Sequence, residues 1–230
     1  NLSKYTREDW INRAQIHSEE DFPMVKTFHK GLSFMERNAG QDNWFLQIET
    51  FDPHEPFHSP QKYKDYYPHG YQGKHFDWPP YTNVEQTPEE VEHVKYEYAS
   101  LLSMCDEYLG RFLDKMDELN LWDDTMVIIN TDHGFLLGEH GWWAKCVSPF
   151  YNEVAHIWDP RSKKTGERRE SLVQNIDLVP TLLNYFGLEP TKDMQGKDLT
   201  AVIAEDQPVR DALLFGIHGG HVNCTDGHYV

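Results

Sequence analysis

The segment from Thr87 to Gly134 constrains the fold most. Thr87-Pro88-Glu89-Glu90 reads as a helix start: Thr caps the first turn, Pro stands where a helix tolerates it, and Glu90 closes a capping box. Val91, Val94, Tyr98, Leu101, Leu102, Cys105, Tyr108, Phe112 and Met116 then recur at three- and four-residue spacing, so one stripe of a long helix faces a core while Glu, Lys and Asp face water. The pattern changes at Thr125-Met126-Val127-Ile128-Ile129-Asn130, a β-branched run of the kind buried on both faces of a parallel sheet, and that run stops at Asp132-His133-Gly134. A helix feeding a buried strand predicts an α/β fold.

The same alternation extends along the chain. Residues 24–38 read as a helix and Trp44–Ile48 as a strand entering the loop FDPHEPFHSP. Residues 60–86 are irregular but carry Tyr66, Tyr67, Tyr71, Phe76, Trp78 and Tyr81, too aromatic for a linker, so they must pack on something. Residues 171–176 read as a strand, followed by a helix from Asp177 through Phe186 with Pro180 in its first turn and Gly187 as its stop. Ala212–Ile217 and His221–Val230 around Asp226-Gly227 read as antiparallel strands joined by a hairpin.

Charge narrows the function. Asp plus Glu number 38 against 21 Lys plus Arg, a formal charge of -17, so a nucleic-acid backbone or an anionic membrane is repelled. No run of about 18 apolar residues predicts a membrane span, and residues 1–30 do not resemble a secretory signal, which leaves cytoplasm and periplasm both open. Three Cys without regular spacing do not make a disulfide framework, and the thiols read as reduced.

Asp132 and His133 lie just past a strand's carboxyl end, where open α/β sheets place their ligands. The following Gly permits a turn that lets a carboxylate and an imidazole converge on one cation. Spacing alone fits equally well an Asp132 that caps a turn beside a satisfied buried His133.

The string NTDHGFLLGEHGWWAK at 130–145 resembles the sulfatase branch of the alkaline-phosphatase superfamily. The likeness continues upstream through CDEYLGRFLDKMDELNLWDDTMVIIN, downstream through IDLVPTLLNYFGLEPTKDMQGKDL, and in the His-Xaa-Pro of His54-Glu55-Pro56, covering roughly residues 44–200. The resemblance implies an alkaline-phosphatase-like mixed sheet flanked by helices over 1–205 and the start of a small antiparallel C-terminal subdomain over 206–230. It further implies that Asp132 and His133 ligate a divalent cation, usually calcium in that family, that Lys145 binds a sulfate oxygen, and that His54 contacts the ester near its leaving oxygen. The chemistry suits these types: attack on an anionic sulfuryl group requires its charge to be neutralised, and imidazole titrates near neutrality. His140 is a further candidate to line the cleft, and Trp142 and Trp143, with the Tyr-rich stretch 65–81, could wall a sugar or aromatic substrate, although core or loop packing suits most of these aromatics better; His218 and His221 read as bystanders.

The family's nucleophile is a formylglycine made from Cys or Ser in a CXPXR or SXPXR motif, and no such motif occurs here: Cys105 lies on a helix stripe, Cys146 precedes Val147-Ser148-Pro149 in the wrong order, and Cys224 sits in a terminal strand. Nothing before residue 40 matches the strand that supplies two further Asp ligands. The 230 residues therefore read as the carboxyl-terminal portion of a sulfatase, inactive alone, with the missing N-terminal part as partner and a small-molecule or carbohydrate sulfate ester as substrate. Ala155–Asp159 departs from the family's longer apolar strand. Two alternatives stand beside this reading: a phosphonate or phosphate ester hydrolase on the same scaffold, and a non-catalytic anion- or glycan-binding domain.

Overall fold

The computed structural model describes residues 4–145, 155–162, 165–216 and 220–229. The chain divides into two compact units, Asn1–Pro80 with Glu85–Leu121 and Tyr81–Val84 with Trp122–Val230.

The first unit is helical. Helix α1 spans Lys4–Arg13, α2 Pro23–Asn38, α3 Gln61–Lys64 and α4 Pro88–Glu118. The capping box forms as the sequence predicts, with the Glu90 amide donating to the Thr87 hydroxyl and the Thr87 amide donating to the Glu90 carboxylate. The helix α4 stripe buries Val94, Leu101, Met104, Tyr108 and Met116 against Met24, Val25 and Met35 of α2 and Tyr63 of α3. Burying each such side chain contributes roughly 1.5–3 kcal/mol relative to exposing it. The stripe is rotated from the apolar reading: Leu102 is exposed, while His93, Glu97 and Ser100 are buried. Each buried polar group has a partner, Glu97 in Lys64, Ser100 in the Tyr96 carbonyl at 2.7 Å and His93 in His69 at 2.7 Å. The aromatic stretch packs on the same helix, with the Tyr67 hydroxyl 2.8 Å from Ser103 and Tyr71 stacked on His93 at 4.1 Å.

Trp44–Ile48, expected as a strand, forms none. Its side chains alternate between half-buried and exposed, but no described segment pairs with it, and alternation without a ladder is only extended chain. It packs on α2 through Trp44, edge-on to Phe34 at 5.8 Å, and through Ile48, whose Cδ1 lies 2.5 Å from where a Cβ on Gly31 would sit, so a larger residue on α2 would have to displace Ile48.

In the second unit β1 (Val127–Asn130) follows the β-branched run, β2 (Leu136–Leu137) and β3 (Trp143–Ala144) make a short hairpin, β4 (Ala155–Trp158) comes next, then α5 (Leu178–Tyr185), α6 (Thr200–Glu205), β5 (Leu213–Gly216) and β6 (Val222–Thr225). Strand β1 pairs antiparallel with β4, Val127 opposite Trp158 and Asn130 opposite Ala155. This corrects the parallel, doubly buried strand expected there: only Val127 of β1 is buried, and among the described residues β4 is its one ladder partner. The short Ala155–Asp159 stretch does form a strand.

Residues 171–176, expected as a strand, are irregular and then turn into a 3-10 helix at Asn175–Asp177. Their backbone donors are taken by side chains instead of a neighbouring strand: the Ser171 amide by Asp206 at 3.1 Å and the Gln174 amide by Asp177 at 2.7 Å. The following helix runs as expected to its stop, where Gly187 takes φ +68° and the Leu188 amide bonds the Leu183 carbonyl at 2.8 Å. Strands β5 and β6 pair antiparallel, Leu213 opposite Thr225. Their connection runs through residues 217–221, so Asp226-Gly227 follows β6 and is not the hairpin turn. Cys146 and His218 lie outside the described residues, and His221 is exposed.

Candidate functional site

The Asp132–His133 turn connects β1 to β2 and is tied down locally. The Thr131 hydroxyl donates to the His133 carbonyl at 3.0 Å, and the His133 amide donates to Asp132 Oδ1 at 3.0 Å. His133 Nδ1 lies 2.9 Å from the Gly134 carbonyl. A carbonyl only accepts, so Nδ1 carries the hydrogen and Nε2 of the neutral ring keeps its lone pair. That Nε2 sits 3.3 Å from Asp132 Oδ2. Two electron-rich atoms this close repel unless a proton or a cation lies against them, and a carboxylate oxygen with an imidazole nitrogen is a donor set that suits a divalent cation. The Asp132 side chain is 83% exposed, so the pair opens to water on one side.

A residue from another element steadies this turn. Asn175 Nδ2 donates to the Thr131 carbonyl at 2.9 Å. Asn175 begins the 3-10 helix that Asp177 closes, and Asp177 is fully buried, accepting from the Gln174 and Lys197 amides at 2.7 Å each and from Arg210 Nη1 and Nη2 at 2.5 Å each. Burial works against ionisation of Asp177, but the Arg210 guanidinium and the two amides overcome it and hold its carboxyl below the usual range.

Lys145 immediately follows β3. Because Leu136 pairs with Ala144, Lys145 leaves the β2–β3 hairpin at the end where the chain enters from Asp132–His133. The backbone turns there, Ala144 taking φ +63°, and Lys145 Nζ lies 5.5 Å from the centroid of the Tyr81 ring. His140 stands at the opposite, closed end of the hairpin, exposed and in a left-handed conformation at φ +55°. Trp143 is wholly buried, its amide bonded to the Thr82 carbonyl at 3.0 Å, so it is core and not a substrate wall; Trp142 is half-buried.

His54 belongs to the first unit, in the loop after Ile48. Its Nδ1 lies 2.7 Å from the Glu55 carbonyl and 3.1 Å from Glu55 Oε2, and its ring rests 4.2 Å from Phe51. The Glu55 carboxylate is 2% exposed and the His54 side chain 30%. Two residues earlier, burial pushes the Asp52 carboxyl up to about 6. Burial, and after it Asp52, push the half-buried Cys105 thiol of α4 up to about 12, which makes it unreactive near neutral pH.

Among the described residues no three His, Cys, Asp or Glu side chains converge as a metal site. Asp132 and His133 come together; His54 and the Lys145 hairpin lie in different units. Sequence reasoning missed Asn175 and Glu55, and had Tyr81 only as one of the aromatic stretch. Asn175 carried no signal because its segment read as a strand, whereas Glu55 was visible beside His54 but had no reason to point at its own neighbour.

Comparison with known proteins supplies what the geometry leaves open. The family model described as Sulfatase matches residues 3–188. An N-acetylglucosamine-6-O-sulfatase of Bacteroides thetaiotaomicron is 32% identical over 114 residues, 48% of this chain and 20% of that protein. An arylsulfatase of Clostridium perfringens is 25% identical over 250 aligned residues, 96% of this chain and 50% of that protein. A solved phosphonate monoester hydrolase from Silicibacter pomeroyi superposes with a TM-score of 0.70 at 22% identity, over 85% of this chain and 44% of that one, and so shares the alkaline-phosphatase-like α/β fold. The chain spans about half the length of the arylsulfatase it matches.

Proposed function

The chain belongs to the sulfatase family, and from that premise we propose that it carries part of the machinery for hydrolysing the sulfate ester of a carbohydrate. The observation that carries this is the family match across residues 3–188, which spans His54, Asp132–His133 and Lys145. Support for a sugar ester comes from the relative that is 32% identical over 114 residues, named as an N-acetylglucosamine-6-O-sulfatase.

The residue roles follow from their chemistry. Asp132 Oδ2 and His133 Nε2 would hold a divalent cation, calcium in our reading, with further ligands from outside these residues. Bound there, the cation supplies positive charge that draws electrons from the sulfuryl group. Lys145 adds a compact ammonium against a sulfate oxygen, strongest as charge shifts in the transition state. His54 gives a proton to the leaving oxygen. His140, at the hairpin's closed end, is assigned to substrate binding without a share in the chemistry. No Cys or Ser here stands in the formylglycine motif, so the nucleophile comes in this reading from a segment other than these residues.

The fold likeness to a phosphonate monoester hydrolase favours one second reading, because tetrahedral phosphonate and sulfate esters differ mainly in charge. The test is turnover of an aryl sulfate and an aryl phosphonate monoester by the full-length protein, with Lys145→Ala as comparison. A sulfatase favours the sulfate and loses about 100-fold or more with Lys145→Ala, as expected when one preorganised donor is removed. Faster phosphonate turnover overturns the reading, and wild-type turnover in Lys145→Ala removes Lys145 from the mechanism.

A further inference from the structure

His54 is held in an unusual way for a loop histidine. Its Nδ1 meets two oxygens of the next residue, the Glu55 carbonyl at 2.7 Å and the carboxylate Oε2 at 3.1 Å. One acceptor suffices to orient a neutral ring. The second is a carboxylate that is 2% exposed, and a charge taken that far from water is retained in a fold only when it has a counter-charge or donors. The His54 imidazolium, whose Nδ1 lies 3.1 Å from Oε2, is one such counter-charge.

We propose that Glu55 is a positioning residue for His54, its buried carboxylate stabilising the imidazolium whose Nε2 proton passes to the departing oxygen of the ester. This rests on the assignment of His54 under the proposed function. An oxygen nucleophile attacks sulfur, and the S–O ester bond breaks with its electron pair on the leaving oxygen. That oxygen takes the Nε2 proton, and the alcohol departs. The ring is left neutral with its hydrogen on Nδ1, still bonded toward Glu55, and recovers a proton from water. The carboxylate thus lies against the Nδ1 side of the ring as a counter-charge, while the Glu55 carbonyl orients it. Other titratable groups at this loop are Asp52 on the same segment and Cys105 on α4, whose thiol stays protonated through neutral pH.

The experiment compares Glu55→Gln, His54→Ala and Asp52→Asn in the full-length protein on two substrates, 4-nitrophenyl sulfate, whose leaving group needs no proton, and an alkyl sugar sulfate, whose leaving group does. Glu55→Gln is expected to lower kcat on the sugar sulfate by about 10–100-fold, the range for loss of a group that orients a functional histidine, with less than about 3-fold on 4-nitrophenyl sulfate. Asp52→Asn keeps the wild-type contrast between substrates. If His54→Ala loses activity selectively on the sugar sulfate and Glu55→Gln does not, Glu55 is overturned and His54 stands. If His54→Ala itself treats the two substrates alike, the assignment of His54 fails and Glu55 falls with it. Should Glu55→Gln not fold, Glu55→Asp, which keeps the charge but withdraws the oxygen, is read in the same way and must fall between wild type and His54→Ala.

Discussion

Replacing Arg210 with Met should cost the fold about 3–5 kcal/mol at pH 7. Asp177 is fully buried and takes two short hydrogen bonds from Arg210, whose side chain is 11% exposed. Each bond to a charged group is worth roughly 1.5–3 kcal/mol, and removing one partner of a buried pair leaves an uncompensated charge. The Gln174 and Lys197 amides remain, which keeps the loss near the lower end of the sum. The pH dependence has a definite sign. The folded-state carboxyl is held below its ordinary value, so its stabilisation is present above the unfolded pKa near 4 and disappears as pH falls through the lower folded value. In Arg210→Met that contribution is gone, so the deficit is complete above about pH 5 and narrows on acidification, as protonation relieves the buried charge. Urea unfolding of wild type and variant, followed by tryptophan fluorescence at pH 7 and about pH 3, reads both effects. A loss under about 1 kcal/mol at pH 7, or a deficit that widens on acidification, refutes the reasoning. Adding Asp177→Asn to Arg210→Met recovers part of the loss, since the double variant buries no lone charge.

Other outcomes follow from the same geometry. Asn175→Ala frees the Thr131 carbonyl and should weaken calcium binding about 10-fold, the low end for loss of an outer-shell partner, with little change in the unfolding midpoint of the apo protein; calorimetric titration checks the first and thermal unfolding the second. Gly31→Val places a side chain against Ile48 on α2 and should destabilise by roughly 1–3 kcal/mol, while Gly31→Val with Ile48→Ala recovers part of it in urea unfolding. Cys105 should resist alkylation by iodoacetamide in the folded protein at pH 8 and react after urea is added, because its thiol is pushed up to about 12; Cys224, exposed, should react in both states.

Local signals were the legible part of the fold. The α4 start at Thr87 and the helix stop at Gly187 depend on interactions within a few residues, and each forms where the residue types ask for it; the β-branched run at Val127–Asn130 showed a strand but not its antiparallel partner. The failures are pairing failures. Trp44–Ile48 has the alternation of a strand but docks through Ile48 on a glycine of α2, and 171–176 has the composition of one but gives its amides to Asp177 and Asp206. Asp177 is a near neighbour of Gln174, but Gly31 is distant from Ile48, and a carboxylate 35 residues away, as Asp206 is from Ser171, leaves no periodic trace. The candidate site divides similarly. Asp132, His133, His54 and Lys145 stood out as chemistry-bearing types in a recognised string, whereas Asn175 acts through a carbonyl and Glu55 through its own neighbour, contacts that only the folded chain displays.

Calcium binding to the full-length protein, measured by calorimetric titration for wild type, Asp132→Ala and His133→Ala, bears most directly on the assignment of this turn. Stoichiometric binding that weakens by at least about 10-fold in both variants is the expected result, since each removes one of the ligands this chain contributes. Binding of unchanged affinity in both variants would place the cation elsewhere and leave the Asp132–His133 pair without its proposed role.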